Sequence, residues 1–254
     1  MKISTEGLIL TEQTVGEKDK LVTVFTKSDG IMRCFARGVK SLKNSNSSAV
    51  QTLTYSQLNI FIGQKNNIID SGEPLHVFYD LRNDLERLSL AQYFCEISYT
   101  MLPEGTQCEE GLSLLLNSLY VLTHFQKPLL LIKSVYEMRF LSIVGFLPNI
   151  YFCSKCGCYE ADKMHFIHSD STLICDRCFD GEMISSPLSR GAVTALRHAV
   201  LSEPKKIFSF GLSDDAASQF ADCAEQYILR CSNRRFSTLE FFKIIKSDNI
   251  PAPQ

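Results

Sequence analysis

Two closely spaced pairs of cysteines are the clearest chemical feature of the sequence. Cys153 and Cys156 form the first pair, Cys175 and Cys178 form the second, and eighteen residues lie between the pairs. This spacing is typical of zinc sites, because each pair places two thiolates on one tight turn and the loop joins both turns into a tetrahedral cage. We therefore predict one structural Zn²⁺ ion. Because four cysteines leave no open position for water or substrate, the metal should stabilise the fold rather than react.

Three neighbouring residues are rival ligands, and the cysteines have an alternative role. Cys158, His165 and His168 lie in the same segment. Since four cysteines already complete a site, we expect Cys158 to be a spare or packed thiol and the two histidines to be loop residues. The alternative is a set of buried free cysteines or a redox dithiol, although a redox C-x-x-C motif rarely comes as a spaced double pair. The zinc deaminase signature is missing, because neither pair follows a proline.

A basic stretch is the second feature of the sequence that could carry a function. No acidic residue lies between Asp29 and Asp70. Arg33 and Arg37 share one face of a predicted strand, where they could track a phosphate backbone. An ordinary solvated surface is the alternative, and the residues alone leave both open. Phe35 is expected to point into the barrel, away from the arginines. The cations of this stretch are Arg33, Arg37, Lys40, Lys43 and Lys65.

The elements that must position these residues indicate an α+β protein. Five short runs in the first 79 residues alternate or are β-branched, which favours a small antiparallel barrel, with the OB-fold as one candidate. From Asp80 the hydrophobic period changes from two to about 3.6, which predicts helices. The predicted strands span 7–14, 21–26, 31–39, 55–62 and 68–77, and the predicted helices lie at 81–101, 112–122, 132–141, 189–201, 214–231 and 237–245.

These patterns predict how the chain is divided. Residues 1–79 would form the barrel with its basic surface, and 80–150 together with 184–246 a helical domain. Residues 151–183 would form a zinc-binding insertion between helices, and 247–254 a disordered tail. Ser237 and Glu240 have the spacing of a capping box at the start of the last helix.

Composition and motif searches exclude several classes of protein. The net charge of −2 gives no global attraction to nucleic acid, so any such function needs a local patch. No run approaches the roughly 18 apolar residues of a membrane span, and the N-terminus lacks the apolar stretch of a signal peptide. We therefore expect a cytoplasmic protein. Motifs for nucleotide binding, serine hydrolases and zinc proteases are missing, so no catalytic residue and no small-molecule substrate are predicted.

The order of these features resembles the RecO family of bacterial DNA recombination and repair proteins. The most specific part is the segment from Tyr136 to Pro148, YEMRFLSIVGFLP, followed closely by CSKCG and a second C-x-x-C. The ARGVK segment that ends at Lys40 and the RRFST segment that begins at Arg234 extend the similarity over most of the chain. The resemblance implies an N-terminal OB-fold, a helical domain with a zinc-binding insertion, and no enzymatic site.

The resemblance also implies partners and a function. Members of this family bind single- and double-stranded DNA and anneal complementary strands. With RecR, they load RecA recombinase onto strands coated with single-stranded-DNA-binding protein, which implies a nucleoid-associated protein of the bacterial cytoplasm. Arg33, Arg37, Lys40 and Lys43 correspond to the family's basic barrel surface and so are expected to contact phosphate. Because the pI of about 6.2 is low for such a role, the alternative is a zinc-containing protein-interaction scaffold with little intrinsic DNA binding.

Overall fold

The computed structural model describes residues 1–39 and 47–248. Within them the protein is α+β, with five N-terminal strands followed by helices and a smaller sheet. The predicted contact residues Lys40 and Lys43, and most of the predicted tail, lie outside the described residues. The N-terminal strands are β1 (Lys2–Val15), β2 (Asp19–Thr26), β3 (Gly30–Ala36), β4 (Thr54–Ile62) and β5 (Asn67–Val77).

The remaining elements alternate between helices and a second sheet. Three helices follow the barrel: α1 (Leu85–Met101), α2 (Glu109–His124) and α3 (Leu129–Ile143). The smaller sheet consists of β6 (Asn149–Cys153), β7 (Lys163–Ile167), β8 (Thr172–Cys175) and β9 (Ser185–Ser189). The last helices are α4 (Arg190–Leu201), α5 (Asp214–Ser232) and α6 (Ser237–Asp248).

The five N-terminal strands form a closed barrel in the order β1-β2-β3-β5-β4. β4 pairs antiparallel with both β1 and β5, and a short parallel pairing of β3 with β5 completes the closure. Successive side chains of a strand point to opposite faces. The inward set is therefore apolar and buried, and it includes Val22, Val24, Met32, Cys34, Leu58 and Ile60.

Gly30 allows the loop between α1 and α2 to lie close against the barrel. Its φ of 63° lies in the left-handed region, and a Cβ atom there would lie 1.9 Å from the carbonyl oxygen of Thr106. The backbone N–H of Gly105 donates to the carbonyl of Ile31 at 3.0 Å. Only glycine satisfies both the backbone angle and this close approach.

The chain divides into two compact units, and the helices belong to both. The first unit contains the barrel, α1, α2 and α6, and the second spans Gln126–Arg235. In the first unit α6 packs on α1, where the ring centroids of Tyr93 and Phe236 are 5.5 Å apart. The Glu96 carboxylate of α1 accepts hydrogen bonds from the backbone N–H of Thr238 at 3.0 Å and from the Thr238 hydroxyl. An acid on α1 therefore caps the N-terminus of α6.

The second unit places the smaller sheet beside α4 and α5. Its strand order is β6-β8-β7-β9, with β6 parallel to β8 and the other pairs antiparallel. α3 packs on both α4 and α5. A buried lysine, Lys133 of α3, forms ion pairs with Glu137 at 2.9 Å and with Glu225 of α5 at 3.0 Å.

The structure confirms each predicted barrel strand and each predicted helix, with three corrections. β3 ends at Ala36, three residues before the predicted end, so Arg37 follows the strand instead of lying in it. Strands β6 to β9 were not predicted. The predicted capping box is wrong, because α6 already includes Ser237 and the Glu240 N–H donates to the Phe236 carbonyl at 3.2 Å. The predicted domain boundaries divide the chain differently from the two compact units and stay a prediction.

Candidate metal centre and outer barrel face

The four predicted ligands, Cys153, Cys156, Cys175 and Cys178, meet in one cluster. Their Sγ atoms all lie within 4.8 Å of one another, and the Cys156 and Cys175 sulfurs are 3.7 Å apart. Four thiolates about 2.3 Å from a tetrahedral Zn²⁺ ion have sulfur–sulfur distances of about 3.8 Å. The separation is far longer than a disulfide bond of about 2.05 Å. The donor set and its spacing therefore fit a metal ion.

Local backbone geometry explains why the cysteines converge. Cys153 ends β6 and Cys175 ends the neighbouring strand β8, so the pairing of these strands brings the two C-x-x-C turns together. In the first turn the Gly157 N–H donates to the Cys153 carbonyl at 2.9 Å, and Gly157 has a φ of 73°. In the second turn the Phe179 N–H donates to the Cys175 carbonyl at 3.1 Å.

Hydrogen bonds lower the pKa of two of the four thiols. Burial opposes ionisation of Cys153, but backbone N–H groups of Cys175, Cys156 and Lys155 outweigh it and lower the pKa of this thiol to about 6. A backbone hydrogen bond from Cys158 lowers the pKa of Cys156. Hydrogen bonding to neighbouring thiols raises the pKa of Cys178 to about 12. A bound cation would reverse that last effect, since a coordinating thiol is deprotonated outright.

The rival ligands remain outside the cluster. Both ring nitrogens of His165 face polar partners, with Nε2 at 2.9 Å from Asp176 and Nδ1 at 3.4 Å from Ser185. Asp176 lies inside the second cysteine turn, so His165 supports that turn. His165 itself lies in β7, which corrects the expectation of a loop residue. Nε2 of His168 lies 2.8 Å from the Ser186 hydroxyl oxygen. Cys158 is not one of the four mutually close sulfurs, although its thiol contacts those of Cys156 and Cys175, and its carbonyl accepts from the Cys153 N–H at 2.9 Å.

An aromatic surface that was not predicted from the sequence lies beside the first cysteine turn. Tyr151, Phe152 and Tyr159 are about half exposed, and the rings of Phe152 and Tyr159 are 5.9 Å apart. The Arg197 guanidinium lies 4.2 Å from the centre of the Tyr159 ring and donates to the carbonyls of Ile150, Tyr151 and Tyr159. The available signal was the aromatic character of the residues flanking the first cysteine pair.

The predicted basic residues are only partly described. Arg33 is exposed on the outer face of β3, and its Nε donates to the Glu104 carboxylate at 2.8 Å. Arg37 is also exposed, one residue beyond the end of β3. Both partners of the Arg33 pair are more than half exposed, and such ion pairs contribute little to stability. The Arg33 guanidinium can therefore exchange Glu104 for another anion.

Phe35 lies on the same side of β3 as Arg33, so the expectation that it points into the barrel is wrong. Residues two positions apart share a face. Met32, Cys34 and Ala36 fill the barrel core, whereas Phe35 is part-exposed. The outer face of β3 thus carries an aromatic ring next to a cation.

Among the described residues, no helix combines the length and the apolar character that a membrane span requires. What the structure does contain is a small closed barrel with cations on its outer face, combined with a helical unit that holds a four-cysteine cluster. The protein therefore belongs to the class of α+β proteins that join an N-terminal barrel to a helical unit with a four-cysteine cluster.

Comparison with known proteins identifies the family. Residues 1–78 match the family described as "Recombination protein O N terminal", and residues 82–240 match "Recombination protein O C terminal". A DNA repair protein RecO of Acetivibrio thermocellus is 30% identical over 243 residues, which cover 96% of this chain and 97% of the relative. A DNA repair protein RecO of Thermodesulfovibrio yellowstonii is 31% identical over 78% of this chain and 80% of its own length. The chain therefore belongs to the RecO family of DNA repair proteins.

Proposed function

We propose that this protein is a non-catalytic recombination mediator that binds single- and double-stranded DNA and anneals complementary strands. Membership of a DNA repair family supports a role on DNA. The observation that carries the proposal is the exposed Arg33 on the outer face of the barrel, with Arg37 just beyond the strand. The barrel is proposed to be an OB-fold, whose outer face commonly binds oligonucleotides.

Annealing would follow from charge neutralisation. Two phosphate backbones repel each other, and arginine and lysine side chains that replace condensed counterions lower this repulsion. Arg33, Arg37, Lys40 and Lys43 are proposed to act in this way, with no contact to base edges. The protein would then bring two strands together without reading their sequence.

A structural Zn²⁺ ion is the proposed occupant of the four-cysteine cluster. Cys153, Cys156, Cys175 and Cys178 would hold it, and it would supply only a fixed link between β6 and β8. Thiolate ligands and tetrahedral spacing favour zinc over magnesium or calcium, which prefer oxygen ligands. Metal analysis of the purified protein should find one zinc ion per chain.

Loading of RecA onto strands coated with single-stranded-DNA-binding protein, together with RecR, is the proposed cellular role. The exposed rings of Tyr151, Phe152 and Tyr159 support contact with protein partners, because aromatic residues are enriched at the centres of interfaces. The same surface favours the second candidate, a protein-interaction scaffold with little intrinsic DNA binding. A protein that recruits RecR but binds no DNA would be such a scaffold.

An annealing assay separates the two candidates. Complementary labelled strands are mixed with the protein or with a variant that carries alanine at Arg33, Arg37, Lys40 and Lys43. The control replaces Lys205 and Lys206, two cations of the second unit, with alanine. If the protein is a mediator, the unchanged protein and the control should anneal the strands fast. The quadruple variant should anneal them slowly. Equal rates with and without protein would favour the scaffold.

A further inference from the structure

A line of apolar side chains crosses the outer face of the barrel. Strand pairing places Leu21 of β2 opposite Phe35 of β3, Phe35 opposite Ile68 of β5, and Ile68 opposite Phe61 of β4. Their immediate neighbours Val22, Cys34, Ile60 and Ile69 belong to the barrel core. By the alternation of strands, Leu21, Phe35, Ile68 and Phe61 therefore all point outward. We call these four residues the outer row.

The side chains of the outer row are apolar but are partly exposed to water, which is unfavourable. Phe61 is 49% exposed, and Leu21, Phe35 and Ile68 are part-exposed. Phe35 and Phe61 lie on strands whose backbones are two strand spacings apart, or about 10 Å. Apolar surface gathered in a line, unlike scattered single residues, indicates a binding site.

Cations border the outer row on two sides. Lys2 is paired in register with Phe61, and Arg33 lies two residues before Phe35 on the same face. The partners of these cations are exposed carboxylates, Asp70 at 2.7 Å from Lys2 and Glu104 at 2.8 Å from Arg33. Lys65 is exposed in the turn between Ile62 and Asn67, which joins β4 to β5. The ligand should therefore combine flat apolar groups with regularly spaced negative charge.

We propose that the outer row is a stacking platform for the bases of single-stranded DNA, with Phe35 and Phe61 each holding one base. The inference rests on the proposed DNA-binding function and adds to it a preference for single strands. Every base has a flat face that stacks on a phenylalanine ring, whereas the bases of a duplex are already stacked on each other. The platform thus contributes to binding of single strands only, and the cations contribute to binding of both forms.

The absence of tryptophan from the sequence gives a direct optical test. The variant Phe61→Trp introduces one tryptophan into the outer row. The matched control is Phe125→Trp, because Phe125 is 47% exposed and lies outside the barrel. Each variant is titrated with oligothymidylate and with an abasic strand of the same length and charge. Tryptophan stacked on a base loses fluorescence, and a strand without bases leaves it unchanged.

A second variant measures the contribution to affinity. Phe35→Leu combined with Phe61→Leu keeps apolar side chains and removes both rings. We expect affinity for the single strand to fall about 25-fold or more, since each of the two stacked bases is worth about 1–3 kcal/mol, while duplex affinity stays within about two-fold. Circular dichroism melting of each variant checks that the barrel remains folded.

The outcomes separate this inference from the function on which it rests. Base-dependent quenching at position 61 but not at position 125, with a selective loss of single-strand affinity in the double variant, supports the platform. Equal binding of oligothymidylate and abasic strands without quenching overturns the platform and leaves DNA binding intact. A protein that binds none of the three ligands, even at low salt, refutes the proposed function and the platform together.

Discussion

Replacement of Lys133 by methionine should destabilise the second unit strongly. The Lys133 side chain is 2% exposed and joins Glu137, which is 0% exposed, to Glu225. Methionine fills a similar volume but leaves the Glu137 carboxylate buried without its cation. Breaking a buried ion pair in this way costs about 3–5 kcal/mol. For a chain of this size that corresponds to a fall in melting temperature of about 6–20 °C.

A double variant tests the physical reason for this loss. When Glu137→Leu is combined with Lys133→Met, the fully buried carboxylate is removed with its cation, and Glu225, whose side chain is 21% exposed, is the one carboxylate of the triad that remains. Such replacements of buried pairs are often neutral or stabilising. We expect the double variant to recover most of the lost stability in thermal and urea denaturation followed by circular dichroism. A double variant as unstable as Lys133→Met, or a single variant within about 0.5 kcal/mol of the unchanged protein, would refute this reasoning.

The pH dependence of the same triad has a defined sign. Burial would lower the pKa of Lys133, but the carboxylates of Glu137 and Glu225 outweigh burial and raise it. A folded-state pKa above the unfolded value of about 10.4 means that the stabilisation is fully present below that pH and is lost as pH rises further. The stabilisation from the Lys133 charge should therefore be lost in strong alkali, where the free energy of unfolding of the unchanged protein should approach that of Lys133→Met.

Three further perturbations should have local effects. Cys175→Ser should abolish zinc binding and expose β6 and β8 to hydrogen exchange while the barrel stays protected; retained stoichiometric zinc would contradict the four-cysteine site. Glu96→Ala removes the acceptor for the Thr238 N–H and should cost about 1 kcal/mol in urea unfolding, whereas an unchanged midpoint would show that α6 is capped otherwise. Gly30→Ala should destabilise the first unit by more than 1 kcal/mol, because a Cβ would collide with Thr106, and a neutral effect would contradict that close approach.

Much of the fold was predictable because its strands and helices have clear hydrophobic periodicity in the sequence. The barrel strands alternate as a result of one buried face, and α1 to α6 carry apolar residues at helical spacing. The strands β6 to β9 are only four or five residues long and lie between turns, so no period could be established for them. The contact between Glu96 and α6 joins residues 142 positions apart and has no local signal.

The candidate sites were predictable to different extents. Cysteine spacing alone identified all four members of the cluster, because a metal cage constrains the spacing directly. For the basic surface, the prediction that Arg33 and Arg37 contact DNA stays a prediction, although both are exposed, and Phe35 was assigned to the wrong face although it is two residues from each. The outer row could not be predicted at all, since only strand pairing brings Phe61 and Ile68 into line with Phe35. Side chains from separate strands form one surface only when the pairing register aligns them.

The salt dependence of single-strand binding tests the central claim most directly. For the unchanged protein, log affinity should fall linearly with log salt, and each phosphate contact contributes about 0.7 to the slope. If Arg33, Arg37, Lys40 and Lys43 each contact one phosphate, their replacement by alanine should reduce the slope by about 2.8 and weaken binding to all sequences alike. The Lys205→Ala and Lys206→Ala control should keep the original slope. An unchanged slope and affinity in the quadruple variant would contradict the assignment of DNA binding to the barrel.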